Sequence, residues 1–198
     1  MDREMRAETD NLHTGTMGRG KSYDMAYIGV FVGLMAVCSW ISIPTVIPFT
    51  LQTFAVFLAV TVLGGKRGTL AIVVYLLLGA VGVPVFAEFS AGPGVLFGTT
   101  GGYLIGFTFT ALLMWLVEKL FGRKLWVQAL SMFLGMAVYY VIGTAWFMAV
   151  YGSINGPVSL ITALSWCVIP FVIPDLVKAA LALGFGNALK KPLAGMLE

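Results

Sequence analysis

Charged side chains are scarce in this chain. Only 11% of its 198 residues are Asp, Glu, Lys or Arg, against 59% hydrophobic, and the mean hydropathy is +0.94. A soluble domain carries about a quarter of its residues as charges. The shortage is also uneven: residues 1–24 hold four basic and five acidic side chains, leaving eight basic and four acidic for the other 174. Twelve charges do not solvate a fold of that size, which excludes an ordinary cytosolic enzyme or secreted domain and points to an integral membrane protein. Histidine is represented once, by His13, and cysteine twice, by Cys38 and Cys167 in apolar stretches. Such cysteines behave as small hydrophobes, so neither a disulfide framework nor a metal or cofactor site is expected. A formal charge of +3 with no long basic run gives no reason to expect nucleic acid as a partner. The first apolar run follows two dozen polar residues without a small-residue cleavage signature, so no cleavable signal peptide is expected.

What the chain has instead is long apolar runs. A membrane-spanning helix needs about 20 mostly apolar residues, and six segments are read as spans: residues 25 to about 43, about 48 to 63, 69–83, 101–117, 125 to about 151, and about 171 to 189. The apolar run from 158 to 189 is too long for one span and contains Pro170 and Pro174. Proline removes a backbone donor and crowds the preceding turn, so a short interfacial helix over about 157–166 is placed before the sixth span. The expected fold is therefore all-α, with six transmembrane helices in a domain over 25–190 and a polar tail over 1–24.

Lysine and arginine placement gives an orientation. Arg19 and Lys21 precede the first span, Lys66 and Arg67 join spans two and three, Lys119, Arg123 and Lys124 join four and five, and Lys190 and Lys191 follow six. The other three connections contain no Lys or Arg. Both termini and every basic cluster are thus expected on the cytoplasmic side.

Residues 15–22, Gly-Thr-Met-Gly-Arg-Gly-Lys-Ser, match the Walker A pattern letter for letter. A phosphate-binding loop needs a strand leading in and an α/β sheet around it. A polar run leads in here and an apolar span follows, so the match is read as a juxtamembrane tail.

Two charges remain inside the spans. Asp175 and Lys178 lie three residues apart and share a helix face. A charge in a span costs about 2.5–3.5 kcal/mol even on insertion scales and usually marks function. Lys178 suits a ligand carboxylate and Asp175 suits ligand N–H groups, although the two could also simply neutralise each other. The connection over 84–103 is glycine-rich and half apolar, suited to folding back over helix ends, and the connection over 44–52 is apolar with one amide, Gln52. Glu88, the one charge in these outward connections, reads as a solvated side chain. Tyr139, Tyr140 and Trp146 could stack on a ligand ring or form an interfacial belt. Gly29 and Gly33 give span one a small-residue face on which another helix can pack closely.

Five separated motifs occur in a fixed order: Ile47-Pro-Phe-Thr-Leu-Gln-Thr53, Leu63-Gly-Gly-Lys-Arg-Gly-Thr69, Leu78-Gly-Ala-Val-Gly-Val-Pro-Val-Phe-Ala87, Gly98-Thr-Thr-Gly-Gly-Tyr-Leu-Ile-Gly-Phe107 and Pro174-Asp-Leu-Val-Lys-Ala-Ala180. In these the chain resembles the BioY family, the biotin-binding S components of energy-coupling factor (ECF) transporters. Thr99 stands where that family usually has proline, and Pro174 directly precedes Asp175 where a glycine commonly intervenes. The resemblance implies a six-helix subunit of a bacterial or archaeal plasma membrane that captures biotin from outside. It would work with a transmembrane coupling subunit and a pair of ATPase subunits, without enzymatic activity of its own. It also implies a site on helices four to six under the loops after spans one and three. In it Asp175 and Lys178 match the family's polar pair, Tyr103 and Gln52 sit in matching motifs, and Gly29 and Gly33 match the face presented to the coupling subunit; Phe49, Tyr140 and Trp146 complete the expected substrate-binding set. An S component for another vitamin, or a structural subunit whose Asp175–Lys178 pair binds nothing, are the competing readings.

Overall fold

The computed structural model describes residues 22–197; the polar tail up to residue 21, and with it all of the Walker-like stretch except Ser22, lies outside the described residues. The architecture is a helical bundle of α1 (Ser22–Trp40), α2 (Gln52–Leu63), α3 (Gly65–Ala80), α4 (Pro93–Leu96), α5 (Gly101–Phe121), α6 (Leu125–Asn155), α7 (Leu160–Cys167) and α8 (Ile169–Leu197). A 3₁₀ turn at Ala87–Phe89 lies between α3 and α4.

Each of the six expected segments overlaps one of the longer helices, but their lengths differ. Among the described residues, α1, α5, α6 and the stretch Leu160–Lys190 are long and apolar enough to cross a membrane. α2 has 12 residues and α3 has 16, so at 1.5 Å per residue α2 reaches about 18 Å. It was expected to begin near residue 48. Instead Ser42–Ile43 (β1) pairs antiparallel with Phe49–Thr50 (β2), Ser42 opposite Thr50 and Ile43 opposite Phe49, which takes those residues out of both flanking helices. The all-α expectation thus needs this small hairpin added. α3 in turn starts at Gly65, four residues before its expected start, because Gly64 adopts φ 83° and turns the chain sharply, a conformation that glycine reaches without a Cβ penalty.

A short helix is present before α8, as α7, with Ser159 Oγ accepting the Thr162 backbone N–H at its start. The break before α8 falls at Val168, which is non-helical, and not at the prolines. Pro170 sits in the first turn of α8, where a missing N–H removes no intrahelical bond. The helix then runs through Pro174.

α2 is apolar around its whole circumference and buried except at Phe54, as expected of a helix inside a bundle. It packs against α8, α3 and α5, while α5 and α6 form the most extensive pair. Glycine sets that closeness at two positions: a methyl at Gly102 would run into Trp146, and one at Gly143 into the Tyr103 ring. The outer faces of α5 and α6 carry exposed Leu116, Leu120, Phe133 and Val141. Apolar side chains on that scale suit lipid contact rather than water, and the chain is a multi-pass membrane protein.

Candidate ligand-binding site

The start of α2 and the start of α8 meet the middle of α6, and at that meeting the two span charges are buried. Asp175 is 2% and Lys178 5% exposed. Their spacing of one helical turn brings Lys178 Nζ to 2.8 Å from Asp175 Oδ1. Thr53 on α2 donates to the same oxygen at 3.1 Å. Tyr139 and Tyr140 on α6 both donate to Oδ2, at 2.6 and 2.8 Å. Four donors fill the capacity of one carboxylate. Lys178 Nζ also donates to the Thr50 carbonyl at 2.6 Å and lies 4.2 Å from the centroid of the Phe49 ring, so the ammonium ties α8 to the hairpin.

Next to this network lies a cavity of about 150 Å³, open on one side. One water needs about 10–15 Å³ on this measure, so the space suits a small organic molecule rather than a single solvent. Its wall combines Asp175, Lys178, Thr50, Thr53, Gln52, Tyr103, Tyr139 and Tyr140 with the apolar Phe86, Leu104, Phe107 and Phe171. A mostly apolar hollow with a few convergent polar groups is the usual form of a ligand site. Gln52 donates to Tyr75 Oη at 2.8 Å, and Tyr75 donates to the Val85 carbonyl at 2.8 Å. Tyr103 Oη shares a hydrogen bond with Thr144 Oγ1 at 3.1 Å.

The segment over 81–100 covers the cavity. Val85 is gripped by Tyr75 and by Ser39 of α1, and Trp40 donates from Nε1 to the Pro84 carbonyl and stacks on Phe89 at 4.9 Å. Glu88 and Phe89 both have φ 56°, a left-handed backbone that costs a non-glycine residue about 1–2 kcal/mol. Glu88 borders the cavity and is exposed, in keeping with a solvated side chain.

The structure thus brings together Asp175, Lys178, Tyr103, Gln52 and Tyr140 in one wall. Phe49 stands behind it, stacked on Phe171 at 5.7 Å and beneath the Lys178 ammonium. Trp146 is not among the lining residues; it packs over Gly102 and donates to the Gly98 carbonyl at 2.9 Å, bracing the covering segment. Thr50, Thr53 and the hydroxyl role of Tyr139 carried no separate signal in the sequence. Gly29 and Gly33 are exposed on α1, with nothing within 4 Å of a Cβ built on either, so no other described helix uses that face.

Comparison with known proteins places the fold and the sequence among known relatives. The solved crystal structure of the S-component for biotin from an ECF-type ABC transporter superposes with a TM-score of 0.77 at 25% identity, covering 86% of this chain and 92% of that one. "Biotin transporter BioY" of Thermotoga maritima is 42% identical over 164 residues, 82% of this chain and 93% of its own length. The "probable biotin transporter BioY" of Pyrococcus horikoshii is 39% identical over 171 residues, 86% of this chain and 98% of its own. The profile of the BioY family matches residues 8–195, nearly the whole bundle, and the chain belongs to that family.

Proposed function

We propose that this chain is the biotin-capturing S component of an ECF-type vitamin uptake transporter. The observation that carries the reading is the half-open cavity against the buried Asp175–Lys178 network, in a fold shared with an S-component for biotin. A purely structural subunit would have no use for a hollow beside its buried charges. Biotin offers an apolar thiophane body, a ureido group with two N–H donors and a carbonyl, and a carboxylate tail. Phe86, Leu104, Phe107 and Phe171 suit the body. Two of the three N–H groups of Lys178 serve Asp175 and Thr50, and the third suits the carboxylate. Asp175, with its four donors, holds Tyr139, Tyr140 and Lys178 in place along the wall.

The basic connections support an orientation with both termini and the polar tail over 1–24 in the cytoplasm and the cavity facing outward. In it the domain over 25–190 crosses a bacterial or archaeal plasma membrane six times. α2 and α3 complete the count, with the hairpin extending α2 toward the outer surface. The chain's own role is binding, not catalysis. Energy enters through a transmembrane coupling subunit and a pair of ATPase subunits, and the bare Gly29–Gly33 face of α1 supports a helix of the coupling subunit docking there.

Equilibrium binding of labelled biotin to the purified protein tests the assignment. Wild type is expected to bind tightly, and Lys178→Ala and Asp175→Asn to lose at least tenfold in affinity, the loss of one charge-assisted hydrogen bond. A wild-type protein that ignores biotin and binds another vitamin overturns the ligand. Full affinity in both variants overturns the site.

A further inference from the structure

Tyr75 of α3 is not among the residues that line the cavity, yet its hydroxyl fixes the direction of one that does. Tyr75 is 1% exposed, and its Oη lies 2.8 Å from the Val85 carbonyl oxygen and 2.8 Å from Gln52 Nε2. A carbonyl has no proton to offer, so the hydrogen between Tyr75 and Val85 is the tyrosine's own. Ser39 supplies a second hydrogen to the same carbonyl at 2.6 Å, which fills both of its lone pairs. With its proton spent, Tyr75 can only accept from Gln52. That makes the amide nitrogen the atom facing Tyr75 and places the oxygen, Oε1, at the other edge.

The free edge opens into the cavity. Gln52 is 4% exposed, sits on a helix buried except at Phe54, and lines the cavity. Among the described residues no occluded side-chain oxygen or nitrogen lacks a partner, and no protein donor engages Gln52 Oε1. An oxygen without a donor therefore has an opening, and for this residue the opening is the cavity. The neighbouring oxygens are spent: Asp175 accepts from Lys178, Thr53, Tyr139 and Tyr140, and Tyr103 pairs with Thr144.

We infer that Tyr75 is a positioning residue for ligand selection: by holding the Gln52 amide with its oxygen toward the cavity, it makes the site demand an N–H donor at that point. This rests on the biotin reading above and deepens it. One of the two ureido N–H groups of biotin goes to Gln52 Oε1, since Asp175 with four donors has no capacity left, and Lys178 keeps the carboxylate. The ligand class is a cyclic urea or lactam with a free N–H. An analogue with a ring oxygen in place of that N–H sets lone pair against lone pair in a buried wall, and a site built around a ligand N–H rejects such an analogue strongly. Without the Tyr75 hydroxyl the amide presents either end, and the demand for a donor is relaxed.

The test is equilibrium binding of biotin and its two cyclic carbamates, each with one ureido N–H replaced by oxygen, to purified wild type, Tyr75→Phe and Gln52→Met. Wild type is expected to bind at least one carbamate about tenfold or more weaker than biotin, for a lost hydrogen bond and an unmatched acceptor. Tyr75→Phe is expected to bind biotin about threefold more weakly and to bring that carbamate within about threefold of biotin, because the amide then turns its nitrogen to the ring oxygen. Gln52→Met has neither amide atom and is expected to bind biotin about tenfold more weakly, with no preference left. A preference for biotin that persists unchanged in either variant overturns the inference. Equal weakening of all three ligands in Tyr75→Phe is one form of that result and marks only a loosened covering segment. Should Tyr75→Phe fail to fold, the wild-type preference and its loss in Gln52→Met decide. Wild type that does not bind biotin removes the functional reading and this inference together. Wild type that binds biotin and both carbamates equally removes this inference alone.

Discussion

The two ends of α2 each meet a carboxylate–cation pair, and the pairs do different work. At the Leu63 end, Glu118 and Arg123 are 3.5 Å apart and partly exposed. Both are occupied with helix termini: Glu118 Oε2 accepts the Gly65 N–H at the start of α3, and Arg123 Nη2 donates to the Thr61 and Val62 carbonyls at the end of α2. These are the orphan groups that every helix leaves at its ends, and charges of these signs at those ends are favourable. At the Gln52 end, Asp175 and Lys178 are buried, and the carboxylate caps no helix; its donors are three hydroxyls and an ammonium. Taking two charges out of water costs several kcal/mol per ion before their attraction is counted. The first pair is explained by the turn it closes. The second closes no turn; it joins α2, α6, α8 and the hairpin beside the cavity.

The strongest way to break this contrast is to unpair the buried site. Asp175→Ala is expected to destabilise the protein by about 3–5 kcal/mol, because Lys178 and the hydroxyls of Thr53, Tyr139 and Tyr140 lose their acceptor. Thermal unfolding in detergent measures it. Adding Lys178→Met should recover much of that stability while biotin binding stays lost. If binding returned as well, the pair would be structural and the contrast false. A milder effect is expected at the other end. Arg123→Ala removes a partly exposed cap and should cost no more than about 1 kcal/mol, with biotin affinity unchanged in the same binding assay. A binding loss as large as that of Lys178→Ala would show the two ends to be coupled. The smallest effect on the fold is expected away from both ends: Gly33→Leu on the open face of α1 should shift stability by less than about 0.5 kcal/mol and leave biotin binding intact. Co-purification should then show loss of the coupling subunit; normal complex yield would remove that face from the assembly.

The sequence made the buried pair visible because charge inside apolar runs is conspicuous, and a spacing of three fixes a shared helix face. It did not reveal Thr53 as a donor or what Tyr139 and Tyr140 do, since threonine and tyrosine are unremarkable in apolar helices until another helix supplies their partner. Trp146 illustrates the converse: a large aromatic near the site reads as a ligand platform, but close packing over Gly102 directs its N–H to Gly98 instead. Segment ends were missed for local reasons. A two-residue strand pair is too short to leave an alternation, and Pro170 and Pro174 read as breakers, although one falls where its missing N–H is harmless and the other is accommodated within α8. Glu88 read as solvated and is exposed, but nothing in the local sequence announces the left-handed turn at a glutamate and phenylalanine.

One consequence follows from two adjacent tyrosines reaching one oxygen. Tyr139 and Tyr140 leave α6 about 100° apart, yet both end on Asp175 Oδ2. Carboxylate and tyrosines therefore act as a key in a slot. Sliding α6 along α8 by one residue, or rolling it by one position, breaks both bonds and strands a carboxylate in an apolar interior. The two bonds thus fix the register of α6 against α8. The β1–β2 hairpin and the segment over 81–100 are held differently, by side chains of α1, α3, α6 and α8 donating to their backbone carbonyls, so entry and exit of a ligand need only those neutral acceptors to be released.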